Sequence, residues 1–117
     1  MKKAVFSGSF DPITRGHEDI VMKSLPLFDE IIVAVGINNL KKSAFPLEQR
    51  LQWIKDTFAD YPKVKVAYYE GLTVDFCKEN GADFIVRGLR GSVDLEYETT
   101  IAEANKKINP KIETIFF

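Results

Sequence analysis

His17 is the sole histidine in the 117-residue sequence. It closes the stretch Gly8-Ser9-Phe10-Asp11-Pro12-Ile13-Thr14-Arg15-Gly16-His17. The apolar run Ala4-Val5-Phe6 precedes this stretch, and Asp19-Ile20-Val21-Met22-Lys23-Ser24-Leu25 follows it. The pattern reads as strand, tight Gly/Pro loop and helix, with the imidazole where the helix begins. A helix N-terminus presents unbonded N–H groups and partial positive charge, which favours phosphate. Gly8 and Gly16 would let backbone approach a ligand closely. Cations recur farther along, as Lys41-Lys42 and as Arg87 and Arg90. Together these groups suit an anionic phosphate substrate. Phosphoryl and nucleotidyl transfer call for in-line positioning and for stabilising charge on phosphorus oxygens and on leaving pyrophosphate. In such a reaction His17 would bond a phosphoryl oxygen. Lys41 would supply a mobile point charge, and Arg87 and Arg90 planar forks. No Cys/His or carboxylate cluster has metal-ligand spacing, so Mg²⁺ would arrive on a nucleotide.

Each group also has a plainer reading. A histidine at a helix start is often a surface or capping residue, and Lys41-Lys42 is often a solvated loop. Arg87 and Arg90 around a glycine could be exposed charges at a helix start. Asp94, Glu96 and Glu98 could simply favour a helix's first turn, and Asp11-Pro12 could be only a turn initiator. Tyr68-Tyr69 and Trp53 read as packing. Cys77, with no adjacent base, reads as a small, partly buried apolar residue. The three polar loops carry weight only together.

The elements that must position them follow from periodicity. The first strand spans about Lys3 to Ser7, and the first helix starts near Gly16 or His17 and ends or kinks at Pro26. That helix takes its apolar side from Ile20, Val21, Met22 and Leu25, with Phe28 beyond. Glu30 to Ile37 is β-branched and apolar, as a central strand is. Pro46 suits the first position of a second helix running to about Ala59, with Leu47, Leu51, Ile54 and Phe58 on its buried face. Val64 to Tyr69 is a third strand, and Lys65 marks it as an edge. A short helix over about Thr73 to Glu79 stops at Asn80-Gly81. Asp83 to Arg87 is a fourth strand. Ser92 could cap a last helix, whose apolar residues would be Leu95, Tyr97, Ile101 and Ala104 with Thr100. Asn109-Pro110 stops it before a fifth strand, Ile112 to Phe117. This βαβαβαβαβ order predicts an α/β, Rossmann-like, doubly wound five-stranded parallel sheet, strand order 3-2-1-4-5, with helices on both faces. In that order the loops bearing Ser9 and His17, Lys41 and Lys42, and Arg87 and Arg90 converge at the C-terminal strand ends, where ligands bind.

Composition narrows the classes. Apolar residues at 45% and charged residues at 28% fit a globular chain. A formal net charge of −1 argues against bulk binding to nucleic acid or membrane. One cysteine cannot form an internal disulfide, so a reducing compartment is expected. No apolar run approaches the roughly 20 residues that span a bilayer. The strand pattern begins directly after Met1-Lys2-Lys3, without a signal region, so the expected location is cytoplasmic.

Gly8-Ser9-Phe10-Asp11-Pro12, followed by Thr14-x-Gly16-His17, resembles the signature of the nucleotidylyltransferase superfamily, whose members transfer AMP or CMP to a phosphate. Many branches carry a histidine where Thr14 stands here, and the threonine resembles the phosphopantetheine adenylyltransferase branch. Arg87-Gly88-Leu89-Arg90-Gly91 with Asp94-Leu95-Glu96-Tyr97-Glu98 resembles that branch's second motif, and Lys41 to Phe45 with Leu47-Glu48-Gln49-Arg50 its intervening loop and helix. The similarity spans essentially residues 1–117, as one nucleotidylyltransferase domain. It implies that ATP and 4′-phosphopantetheine, with Mg²⁺, give dephospho-coenzyme A and pyrophosphate. On that resemblance His17 stabilises the transition state and Ser9 contacts both substrates, with Phe10 beside ATP. Lys41 and Arg87 hold the acceptor phosphate, and Thr73 lies along the pantetheine arm. Gly88, Leu89, Arg90 and Glu98 line the ATP site. A homo-hexamer and inhibition by coenzyme A are further implications.

Two departures accompany the match. Arg15 stands where the family commonly has a small polar residue. Family members also continue beyond the fifth strand into a Ser-rich helix start that binds ATP phosphates and a closing helix, so that part of the site is expected to be missing. The rival expectations are a non-catalytic module that binds nucleotide or coenzyme A, and transfer to another phosphate acceptor.

Overall fold

The computed structural model describes residues 1–38, 40, 42–89 and 92–117. Five strands form one parallel sheet in the order β3-β2-β1-β4-β5. They are β1 (Lys3–Gly8), β2 (Glu30–Gly36), β3 (Val64–Tyr69), β4 (Phe84–Arg87) and β5 (Glu113–Phe116). The connecting helices are α1 (Arg15–Ser24), α2 (Leu47–Thr57), α3 (Thr73–Glu79) and α4 (Ser92–Ile108). Pro26 does end α1, through a 3-10 turn over Leu25–Leu27. Pro46 sits one residue before α2, as its N-cap, instead of at its first helical position.

Period-2 alternation divides the sheet's side chains between two layers. One layer gathers Ala4 and Phe6 of β1, Ile31, Val33 and Val35 of β2, and Val86 of β4 under Val21 of α1 and Ile54 of α2. Phe28 and Phe58 complete that layer from the segments after α1 and α2. The other layer gathers Val5, Ile32, Ala34 and Ile85 against Val74, Phe76 and Cys77 of α3. Nearly unbroken burial along β1 and β2 follows from helices covering both faces. Lys65 is exposed on the edge strand β3.

Helix α4 departs from expectation. Leu95, Tyr97 and Ile101 are 46%, 67% and 36% exposed, and Ala104 is exposed as well. Among its described side chains the buried one is Glu98. Ala102 and Asn105, at helical spacing from Glu98, line a cavity against the sheet. Tyr97 and Ile101 line the same cavity, and they stay exposed because that face borders open space instead of a packed core.

Candidate active site

The last residues of β1, β2, β3 and β4 are Gly8, Gly36, Tyr69 and Arg87, and all four line one cavity of about 420 Å³. A second cavity, about 590 Å³, is lined by Ser9, His17, Gly88 and Leu89 and shares Arg87 and Glu98 with the first. A third, about 410 Å³, lies between Ser9, Asp11, Asn38, Lys42 and Arg50. A parallel sheet puts every following loop at the same end, and β1 and β4 diverge there in their connections, which opens the crevice.

His17 is fixed by its own helix start. Thr14 is the N-cap of α1, with φ −121° and ψ 171°. Its Oγ1 accepts from the His17 backbone N–H at 3.4 Å, and its own N–H donates to His17 Nδ1 at 3.0 Å. This reciprocal pair is a capping box with imidazole in the place of the usual carboxylate. A neutral imidazole that accepts at Nδ1 carries its proton on Nε2, so the ring's donor is Nε2–H. The ring packs edge-on against Phe10, centroids 4.8 Å apart, and tilts against Phe6 at 6.0 Å. Of the sequence readings of this histidine, the capping one is what the geometry shows.

The loop before α1 is shaped from within. Phe10 has φ 44°, a left-handed conformation that costs a non-glycine residue free energy. It is 1% exposed, with its ring in the core. A nucleotide could therefore meet Phe10 only through its backbone. A Cβ on Gly8 would lie 3.2 Å from the Phe10 ring, so Gly8 accommodates this loop's own aromatic. The peptide bond Asp11–Pro12 is cis. The Asp11 carboxylate accepts from the N–H groups of Ala44 at 2.6 Å and Phe45 at 2.9 Å, so it ties the loop after β1 to the loop after β2. Ser9 is exposed, and its carbonyl accepts from Arg50 Nη1 at 3.0 Å.

On the other side of the crevice Arg87 and Glu98 meet each other. Arg87 Nε donates to Glu98 Oε1 and Oε2 at 3.2 and 3.0 Å, and Nη2 donates to Oε1 at 2.5 Å. Arg87 Nη1 donates to the Ser7 carbonyl. This fork is what permits a carboxylate as buried as Glu98, at 7% exposure. Gly88 follows where α1 crosses close by. A Cβ there would fall 2.2 Å from Ile20 Cδ1. The Leu89 N–H donates to the Phe117 carbonyl at 2.9 Å. Thr73 opens α3, and its hydroxyl is 2.7 Å from Tyr69 Oη. Lys42 is exposed at the third cavity. Lys41 and Arg90 lie outside the described residues.

The structure thus brings Ser9, His17, Arg87, Gly88, Leu89 and Glu98 to one cavity and Thr73 to the adjoining one. Sequence reasoning passed over Arg50 and treated Asp11 as a turn residue. A signal for Arg50 exists: it sits three residues after Leu47 and four before Ile54, on the spacing of the buried face of α2. Tyr69 stacks on Phe76 at 4.8 Å and Trp53 packs edge-on against Phe45 at 4.9 Å. Cys77 is fully buried, and that burial pushes its thiol from 9.0 up to about 12, offset only in part by a backbone hydrogen bond. Such a thiol is inert at neutral pH. Among the described residues no helix is long and apolar enough to cross a membrane.

Among solved structures the chain is similar to a lipopolysaccharide core biosynthesis protein from Thermoplasma volcanium, with TM-score 0.69, 22% identity, and 100% of this chain and 96% of that one covered. It is similar also to a bifunctional NMN adenylyltransferase/ADP ribose pyrophosphatase from Francisella tularensis, with TM-score 0.73, 20% identity, and 99% and 37% covered. At these identities the likeness is one of fold. Sequence relatives are nearer. A phosphopantetheine adenylyltransferase of Flavobacterium psychrophilum is 59% identical over 116 residues, covering 99% of this chain and 76% of that protein. One of Leptospira biflexa is 50% identical over 113 residues, covering 97% and 71%. A cytidylyltransferase-like family model matches residues 5–117. With that match across the crevice-forming elements and identity of this order along nearly its whole length, the chain belongs to the phosphopantetheine adenylyltransferase family.

Proposed function

We propose that the protein transfers AMP from ATP to the phosphate of 4′-phosphopantetheine, giving dephospho-coenzyme A and pyrophosphate. The acceptor's phosphate oxygen attacks the α-phosphorus of ATP, and the bond from that phosphorus to the bridging oxygen of the β-phosphate breaks. His17 carries the chemical step. Its imidazole is held through Nδ1, so an Nε2–H donor is oriented before charge grows on the α-phosphate oxygens. That fixed donor is the observation that best supports the reading. Ser9 would contact both substrates, Thr73 the pantetheine arm, and Lys41 and Arg87 the acceptor's phosphate. Gly88, Leu89, Arg90, Glu98 and the backbone of Phe10 would meet ATP. In this structure the fork of Arg87 holds the Glu98 carboxylate, and the acceptor's phosphate would take the place of that carboxylate. Mg²⁺ would come with the ATP phosphates.

The test is pyrophosphate release from ATP and Mg²⁺, with phosphopantetheine, nicotinamide mononucleotide and a polyol phosphate as parallel acceptors. Release with phosphopantetheine alone is expected. Release with another acceptor instead would reassign the substrate. Tight nucleotide binding without turnover would make the chain a binding module.

A further inference from the structure

Arg50 is 7% exposed on α2, beneath the loop that carries Ser9 and His17. Its Nη1 donates to the Ser9 carbonyl at 3.0 Å, and its Nε lies 3.9 Å from Asp11 Oδ1. Asp11 in turn accepts from the Ala44 and Phe45 N–H groups. One guanidinium therefore touches the loop after β1 twice and, through Asp11, reaches the loop after β2. As a stabilising device the arrangement is poor. At 3.9 Å the ion pair is not a hydrogen bond, and Nε is buried with no hydrogen-bond acceptor among the described residues. A buried donor left unsatisfied costs stability, and apolar residues commonly replace a buried ion pair without loss. What an apolar residue at this position could not do is hold two loops at a set separation.

We propose that Arg50 is a positioning residue: its guanidinium, acting through the Ser9 carbonyl and the Asp11 carboxylate, sets the Ser9–His17 loop against the Lys42 loop and so fixes where the acceptor's phosphate lies relative to His17. The catalytic part rests on the transfer reaction proposed above, while the latch is read from contacts alone. A planar fork addresses two oxygen acceptors at once and a lysine ammonium does so poorly, so Arg50→Lys keeps the buried charge without the geometry.

The experiment uses the full chain as wild type, Arg50→Lys and Arg50→Met, with two readouts. The first is amide hydrogen exchange at Ala44 and Phe45, with Val33 in the interior strand β2 as reference. Exchange at Ala44 and Phe45 is expected to rise about tenfold in Arg50→Met while Val33 stays unchanged, as local opening does. The second is steady-state kinetics. In both variants kcat/KM for phosphopantetheine is expected to fall about tenfold or more, a loss in proportion to a sub-ångström misplacement. The KM for ATP should hold, and Arg50→Lys should recover melting temperature without recovering kcat/KM. Unchanged exchange at Ala44 and Phe45, or a rise shared equally by Val33, would overturn the latch. Full rescue of kcat/KM by Arg50→Lys would reduce Arg50 to a buried charge. Should Arg50→Met not fold, Arg50→Lys carries both readouts. Should wild type release no pyrophosphate with any acceptor, the proposed reaction fails and the exchange data alone decide the latch.

Discussion

The two faces of the sheet are built to different standards. On the face of α1 and α2, Phe6, Phe10, Phe28 and Phe58 fill the layer together with Val21 and Ile54, each 4% exposed or less. On the opposite face the buried residues are mostly smaller, with Val5, Ala34, Ala82 and Cys77 among them. There α4 turns Glu98, Ala102 and Asn105 toward a cavity of about 420 Å³. The packed face backs the loop that presents His17. The thinner face leaves room where Thr73 and Arg87 line the adjoining space. Close packing resists displacement and so holds the His17 loop in place, while the cavity on the thinner face leaves room for a ligand.

That division can be broken by substitutions, taken here from the largest expected effect. His17→Ala should lower kcat by about 10²–10³, the usual loss for one transition-state donor, while the KM for ATP changes little. Steady-state pyrophosphate release reads both, and an effect confined to KM would show that His17 only binds. Ile54→Ala, in the packed layer, should lower unfolding stability by about 2–5 kcal/mol, measured in urea, and leave the acceptor's KM alone. A raised KM there would mean that the packed face also shapes the acceptor site. Ile101→Ala, at the cavity, should change stability by less than about 1 kcal/mol, yet weaken acceptor binding several-fold by calorimetry. A large stability loss instead would make α4 an ordinary core helix.

The smallest effect is expected at Cys77. Native protein should resist iodoacetamide at pH 8 and react once unfolded. The folded thiol sits near 12 against 9.0 when free, so the unfolded chain loses this proton first as pH rises. The stability it contributes is complete below about pH 9 and is lost as pH climbs toward 12. Labelling of the native protein at pH 8 would mean that the thin face opens locally.

The same contrast sets what can be read from sequence. β3 and α3 fall on the expected residues, because Val64 to Tyr69 and Asn80-Gly81 carry local signals. The strand order 3-2-1-4-5 expected for this connectivity is the one the sheet has. α4 defeats periodicity because one face borders a cavity, so Tyr97 and Ile101 line open space and stay exposed instead of packing into a core. Ser9, His17 and Arg87 are legible as polar groups on converging loops. Thr73 and Glu98 are not, and only the family resemblance points to them, since a helix-start threonine and a helical glutamate look ordinary. Arg50 and the inward turn of Phe10 depend on contacts 41 residues away in one case and on a left-handed backbone in the other. Helical spacing marks Arg50 as buried but not its partner, and the turn of Phe10 leaves no local trace.

The contacts that build the crevice differ greatly in the length of chain they enclose. Thr14 and His17 are three residues apart, Asp11 and Ala44 thirty-three, Ser7 and Arg87 eighty. Short loops close sooner and at lower entropic cost. The imidazole's orientation is thus available as soon as the first turn of α1 nucleates, whereas the cation that faces it across the crevice waits until β4 docks beside β1. Under mild denaturation the order reverses. The Arg87 side should come apart while the histidine's cap still holds, so the far wall of the crevice is the first part the fold loses and the last it acquires.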